Sequence, residues 1–72
     1  MPVNVSENVT ANIRAELARR GRTQGDLAEA LGMHPMTISK RMTGQADWWI
    51  GEIPAAADWL GIPLAALFGA AS

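Results

Sequence analysis

The sequence predicts an all-α fold: a compact bundle of five short helices in a single domain that spans residues 1–72. Apolar residues recur at the three- and four-residue spacing of helices, and no segment alternates long enough to indicate a strand. Glycines follow the ends of these patterns, as expected at helix C-termini. Hydrophobic residues make up 49% of the chain, which is enough for a folded core.

The first two helices are predicted from their start and stop signals. Helix one is expected over about residues 7–20, with Ser6 as its N-cap and Gly21 as its end. Helix two is expected over about residues 24–31, where Thr23 and Asp26 resemble a capping box and Gly32 ends the pattern. The residues expected to face inward are Val9, Ile13, Leu17, Leu27, Ala28 and Leu31.

The segment LGMHPMTISKRMTG, residues 31–44, predicts a third helix over about residues 35–43. His34 takes the N-cap position and Pro35 the first helical position, where its missing N–H costs nothing. Met33 and Ile38 are spaced as a hydrophobic staple, and Gly44 is expected to close the helix.

The 100° turn per residue divides the third helix into two sides. Ile38 and Met42 are expected to point inward. The opposite side is expected to present Met36, Lys40 and Thr43, with Thr37 and Ser39 flanking them and Arg41 nearer the boundary.

Two more helices are expected after a connector over residues 45–49. The fourth is expected from about residue 50 or 51 to residue 60. Its start is placed late because Pro54 fits only the first turn of a helix. The fifth is expected over about residues 64–68 after Pro63. Leu31-Gly32 and Leu60-Gly61 are interpreted as two similar helix C-caps rather than as a sequence repeat.

The composition argues against an enzyme. The chain has no cysteine and one histidine, so it lacks the ligands of a zinc site, and no carboxylate pair or glycine-rich phosphate loop is recognisable. We expect no cofactor, no metal and no small-molecule substrate. The first residues lack the pattern of a secretory signal and no run of 18 apolar residues occurs, which predicts a cytoplasmic protein without a membrane partner.

Charge is distributed unevenly along the chain. Residues 1–44 carry six basic and four acidic groups, a balance of +2, whereas residues 45–72 carry three acidic groups and no basic one. This asymmetry is compatible either with an ordinary solvated surface or with one positive side on a protein whose net charge is -1.

The order of helix, glycine-containing turn and helix over residues 23–44 resembles a helix-turn-helix, and the chain is similar to the lambda-repressor-like, Cro/XRE-type proteins of phages and bacteria. The similarity extends over about residues 9–69. The residues that carry it are Ile13, Leu17, Gly21, Thr23, Gln24, Leu27, Ala28, Leu31, Gly32, Thr37, Ile38, Ser39, Lys40, Gly44, Trp48, Glu52, Leu60, Gly61, Ile62, Pro63, Leu67 and Phe68.

The resemblance implies that helix three enters the major groove of double-stranded DNA, with Met36, Thr37 and Lys40 as base readers. It implies that Gln24 reaches the DNA backbone and braces helix three. The candidates for the remaining backbone or bracing contacts are Arg22, Thr23, His34, Pro35, Ser39, Arg41, Thr43 and Gln45. Arg19 and Arg20 are interpreted instead as solvated or as partners of the helix dipole, and capping is preferred over base contact for His34.

The expected function is a sequence-specific transcriptional regulator, most simply a Cro-like or immunity-type repressor that occupies an operator. A homodimer, at least on DNA, is expected from the usual use of this fold. Trp48 is expected in the core, whereas Trp49 and Trp59 are expected either under side-chain stems or in an exposed aromatic patch. The alternatives are a protein-interaction module with this fold, or an antitoxin or excision-type accessory factor.

Overall fold

The computed structural model describes residues 5–69, and these form four α-helices and a terminal 3₁₀ helix. The elements are α1 (Val5–Arg20), α2 (Gln24–Leu31), α3 (Pro35–Met42), α4 (Glu52–Leu60) and the 3₁₀ helix (Leu64–Leu67). The all-α fold is confirmed. The short fifth helix expected over about residues 64–68 forms as a 3₁₀ helix rather than as an α-helix.

Helix α1 includes Ser6, so the prediction that Ser6 caps this helix is wrong. The Ser6 hydroxyl instead accepts a hydrogen bond from the Trp48 N–H at 2.9 Å. One turn later, the Thr10 hydroxyl accepts from Nε1 of the same tryptophan at 2.8 Å. Ser6 and Thr10 therefore bind the connector between α3 and α4, and Ser6 does not cap α1.

Helix α2 has the bounds that the sequence predicts, and its N-terminus is a complete capping box. The Thr23 hydroxyl accepts from the Asp26 N–H at 3.1 Å, and the Asp26 carboxylate accepts from the Thr23 N–H at 2.8 Å. Gly32, which follows α2, and Gly61, which follows α4, have φ of 65° and 73°. This left-handed conformation favours glycine and confirms the two similar C-caps.

The helices surround one apolar core, and α2 and α3 pack directly against each other. Each fully buried aliphatic side chain contributes about 2 kcal/mol through removal from water. The buried apolar residues are Val9, Ile13, Leu17, Leu27, Ala28, Ile38, Met42, Trp48, Ile53, Ala56, Ala57, Leu60 and Leu67. All four α-helices and the connector contribute to this core, so α3 is held from several sides.

The C-terminal part is tied to α1 by one buried amide. Nδ2 of Asn12 donates to the carbonyl oxygens of Leu67 at 2.9 Å and Gly69 at 2.7 Å. These carbonyls lie at and after the end of the short 3₁₀ helix, and they therefore have a hydrogen-bond partner in α1. Helix α4 begins at Glu52, one or two residues later than predicted, and Pro54 lies within its first turn as expected.

Candidate nucleic-acid interface

The junction between α2 and α3 is a tight turn that is held by hydrogen bonds. The Met33 N–H donates to the Ala28 carbonyl at 2.9 Å, and the Met33 side chain packs against the core. Nδ1 of His34 accepts from the Met36 N–H at 3.1 Å, which confirms His34 as the N-cap of α3. Pro35 occupies the first turn. These contacts fix the direction in which α3 leaves the turn.

Helix α3 has one side in the core and one side in solvent. Ile38 and Met42 are buried, while Met36 is 63% exposed and Lys40 is also exposed. Thr37 lies at the border and is half-buried. The structure therefore places the three predicted base readers at or beside the outer surface of α3. Their contact with bases remains a prediction.

Arg41 does not have the position expected of a phosphate-contacting residue. Its Nε and Nη2 donate to the two carboxylate oxygens of Glu52 at 2.9 and 3.2 Å. The side chains of Arg41 and Glu52 are only 8% and 15% exposed. The sequence placed Arg41 at the boundary of the helix but did not indicate a partner 11 residues later. The prediction of a phosphate contact is replaced by a structural ion pair.

The Arg41–Glu52 pair also organises the connector. Oε1 of Glu52 accepts from the Trp49 N–H at 2.8 Å, and the Arg41 guanidinium lies 5.4 Å from the centroid of the Trp49 ring. The hydrogen bonds from Arg41 to the Glu52 carboxylate raise the pKa of the guanidinium, while burial opposes this shift. This ion pair ties the end of α3 to the start of α4.

Two further backbone candidates lie together after α3. The Thr43 hydroxyl donates to the Ser39 carbonyl at 2.8 Å, and Nε2 of Gln45 donates to the Thr43 hydroxyl at 3.2 Å. Thr43 and Gln45 are exposed, whereas Ser39 is half-buried. Thr43 and Gln45 therefore remain accessible to a phosphate, although both have intramolecular partners.

The backbone candidates at the other end of the motif surround the start of α2. The Thr23 hydroxyl is used in the capping box, and Gln24, the first residue of α2, is half-buried. Arg22 is exposed, and its guanidinium lies 5.6 Å from the centroid of the Trp59 ring. Arg22, Thr23 and Gln24 are consecutive residues at the start of α2, whereas Thr43 and Gln45 follow the end of α3.

Most of the cations have a partner within the described residues. Arg19 and Arg20 both bond the Glu16 carboxylate, and these two hydrogen bonds lower the pKa of Glu16. Nη2 of Arg14 donates to the Met42 carbonyl at 2.9 Å. With Arg41 paired as well, Lys40 and Arg22 are the basic residues whose side chains form no hydrogen bond or ion pair across residues 5–69.

Two polar residues of α1 were not identified as important from the sequence. Arg14 borders an open cleft that is also lined by Thr43 and Gly44, so it lies beside the end of α3. Asn12 is buried under the C-terminal segment. Asn12 lies three residues after Val9, on the apolar stripe, and an amide in that register indicates a specific buried hydrogen bond.

The three tryptophans have different environments. Trp48 is 7% exposed, which confirms its place in the core. Trp59 is half-buried and packs against the core beneath Arg22. Trp49 is 69% exposed, and its neighbour Ile50 is 85% exposed. Each of the two expected environments is therefore found once. Trp59 is partly covered by the Arg22 side chain, and Trp49 is exposed on the surface.

The described residues contain no helix with the length and apolar character needed to cross a membrane. The sequence model of the helix-turn-helix family matches residues 13–47. This match contains α2, the turn and α3.

One solved structure shares most of the fold. The crystal structure of the clp gene regulator ClgR from C. glutamicum is similar over 93% of this chain and 86% of that chain, with a TM-score of 0.79 and 25% sequence identity. No curated protein sequence matches the chain. The family match and this likeness of fold show a helix-turn-helix, and they support the resemblance of the chain to the lambda-repressor-like, Cro/XRE-type proteins.

Proposed function

We propose that the protein is a sequence-specific, double-stranded DNA-binding transcriptional regulator, most simply a Cro-like or immunity-type repressor that occupies an operator. The observation that carries the proposal is the division of α3: Ile38 and Met42 fix the helix in the core, while Met36 and Lys40 remain exposed. The helix-turn-helix match and the gene regulator with a similar structure support a DNA-binding regulator.

The outer side of α3 has chemistry suited to the major groove. Lys40 donates to the O6 and N7 acceptors of guanine, and Met36 with the Thr37 methyl group provides apolar contact for thymine methyl groups. Because methionine is flexible, its contact is permissive in the base that it accepts. In this proposal Lys40 discriminates between bases through hydrogen bonds, and Met36 and Thr37 contribute apolar contact with thymine methyl groups.

Backbone contacts surround this reading surface. Gln24 and Arg22 lie at the start of α2, and Thr43 and Gln45 lie after α3, so a phosphate can be met on either side of the base readers. Such contacts set the register on the duplex and supply affinity that depends on salt, without reading the sequence.

We propose a two-fold dimer on paired half-sites, with a second copy of the chain as the partner. Within residues 5–69, Lys40 and Arg22 are the cations whose side chains form no hydrogen bond or ion pair. One module therefore has little electrostatic affinity, and two modules on one duplex combine theirs. The exposed side chains of Trp49 and Ile50 support an interface between copies. Replacing both with serine should weaken the dimer in analytical ultracentrifugation, and an unchanged association constant contradicts this interface.

The proposal places the protein in the cytoplasm, where a regulator of this kind meets its DNA. It assigns the protein no catalytic activity, cofactor or small-molecule substrate.

Replacing Lys40 with alanine tests the base-reading role. On a duplex selected from random sequences, the variant should bind about five- to 150-fold more weakly and discriminate less at one base position, because each good polar base contact is worth about 1–3 kcal/mol. Arg19→Ala is the matched control, since Arg19 is exposed but bonded to Glu16. If Lys40→Ala binds the selected duplex as tightly as the parent does, the base-reading assignment is wrong.

The exposure of Trp49 and Ile50 also favours a second function, a protein-interaction module that has kept the fold. A salt titration separates the two. Binding to DNA should weaken steeply as the salt concentration rises, whereas an apolar protein contact should change little. Failure to recover any preferred duplex from a random pool, together with salt-independent binding to a protein, favours this alternative.

A further inference from the structure

We infer that Trp59 is a positioning residue for Arg22 and that Arg22 thereby becomes a DNA phosphate contact at the start of α2. The inference rests on the proposed function, because it assumes that this end of α2 borders the duplex backbone. It goes beyond that proposal by assigning a role to a residue of α4, which carries none of the base readers.

The first step is the small number of available cations. Arg19 and Arg20 are held by Glu16, Arg41 is held by Glu52, and Arg14 bonds a backbone carbonyl. Lys40 lies on the outer side of α3, where we assign it to a base. Arg22 is thus the exposed cation within residues 5–69 that is left for the backbone without breaking an existing bond.

The Trp59 ring forms an aromatic platform beneath Arg22. Trp59 packs against the core, so its ring is held by neighbours and has little freedom of its own. The Arg22 guanidinium lies over this ring at 5.6 Å from the centroid, within the range of a cation–π interaction. A free arginine loses much rotamer entropy when it binds a phosphate, and a side chain already held on a ring loses less.

The third step is the geometry of the guanidinium group. An aromatic ring contacts its face, whereas its five N–H donors lie in the plane of the group. An arginine on a ring therefore keeps all of these donors available to phosphate oxygens, whereas an arginine in a bidentate ion pair has already used two of them. Lysine lacks this planar group, so it cannot use the same platform equally well.

The charged neighbours leave Arg22 available. Asp26 and Glu29 line the same surface recess as Arg22 and Trp59, and Arg20 lines the adjoining one. The Asp26 carboxylate accepts from the Thr23 N–H, and no ion pair within the described residues joins Arg22 to Asp26 or Glu29. Arg22 is thus held near α2 by the ring and by its charge attraction to Asp26, without an ion pair that would occupy its donors.

The test uses filter-binding titrations of the full chain on a duplex selected with the parent protein, at several salt concentrations. Arg22→Ala should weaken binding roughly three- to tenfold and reduce the slope of log K against log salt by about one per protomer. Arg22→Lys should keep the slope but still weaken binding, because the charge remains and the platform is lost. The control Arg19→Ala should change neither quantity.

A double-mutant cycle tests the role of Trp59. Trp59→Leu should weaken binding in the parent background and have almost no further effect in the Arg22→Ala background. Trp59→Phe should restore part of the loss, since phenylalanine still offers a ring face. Circular dichroism melts identify a variant that has lost its fold, and Trp59→Phe then carries the test alone in both backgrounds.

The outcomes separate this inference from the proposed function. If the parent shows no salt-dependent binding to any duplex, the proposed function fails. If the parent binds but Arg22→Ala leaves the salt slope unchanged, Arg22 is not a phosphate contact. If the tryptophan substitutions weaken binding equally in both backgrounds, Trp59 acts through the fold and the positioning role is refuted.

Discussion

Arg41 and Arg22 each lie over a tryptophan ring, at 5.4 and 5.6 Å from its centroid, but among the described residues only Arg41 also has a carboxylate partner. The Glu52 carboxylate accepts two hydrogen bonds from Arg41, and both side chains are mostly buried. Arg22 is exposed on its ring. Similar cation–aromatic contacts therefore serve two purposes: one stabilises the fold, and the other leaves a cation available to a ligand.

This difference has a physical reason in burial. Arg41 is buried between two helices, where an unpaired charge is costly, so it requires a carboxylate. Arg22 is next to the first turn of α2 and remains hydrated, so a ring suffices to hold it.

Replacing Glu52 with glutamine should destabilise the protein by about 2 kcal/mol, because Arg41 would lose its counter-charge in a site that is mostly buried. Partial exposure of both side chains keeps the loss below that of a fully buried pair. Urea denaturation followed by circular dichroism measures the change. Asp58→Asn, on the exposed side of the same helix, is the control and should stay within about 0.5 kcal/mol of the parent.

The double variant Arg41→Met, Glu52→Leu separates lost pairing from lost packing. It should be more stable than Glu52→Gln alone, since removing both charges leaves none unpaired. A loss under about 0.5 kcal/mol for Glu52→Gln contradicts the view that this ion pair stabilises the junction of α3 and α4.

Arg22→Ala should reduce stability by only about 0.5 kcal/mol, the value of an exposed cation–π contact. The same urea titration measures it, with Lys40→Ala as an exposed control without such a contact. A loss as large as that of Glu52→Gln would show that Arg22 is structural, and the distinction between the two arginines would disappear.

The smallest effect concerns the pKa of Asp26. Hydrogen bonds from the backbone and side chain of Thr23 lower this pKa below its ordinary value of 3.8, and the charge of Arg22 adds to the shift. The capping box therefore contributes its full stability above that value and loses it as the pH falls through the lower folded pKa.

Replacing Arg22 with alanine should move the Asp26 pKa slightly upward, as measured by NMR titration of the carboxyl carbon. Arg14→Ala is the control, because no charge effect of Arg14 on Asp26 is expected. An unchanged Asp26 pKa in Arg22→Ala would place the Arg22 guanidinium farther from α2 than the structure does.

The elements predicted well are those governed by neighbours in sequence. The capping box of Thr23 and Asp26, the His34 cap and the glycine ends of α2 and α4 all follow from residues within one or two turns. The helical spacing of α3 likewise predicted which side of it would be exposed. Local hydrogen bonding and periodicity are sufficient for such features.

The failures involve partners that are distant in sequence. Ser6 resembles a cap, but its hydroxyl accepts from Trp48, 42 residues later. Arg41 resembles a phosphate ligand, but its Nε and Nη2 donate to Glu52 across the connector. Both residues have common local roles, and only the tertiary packing of α1 and α4 decides against them.

The three tryptophans also provide intrinsic fluorescence that depends on their different environments. Trp48 is in the core and donates its indole N–H to Thr10, so its fluorescence should follow unfolding. Trp59 lies beneath Arg22, so a form of the protein in which Trp59 is the only fluorophore should change its emission when the arginine engages an anion. Folding and occupancy can then be monitored at one wavelength, in separate variants, without attaching a dye.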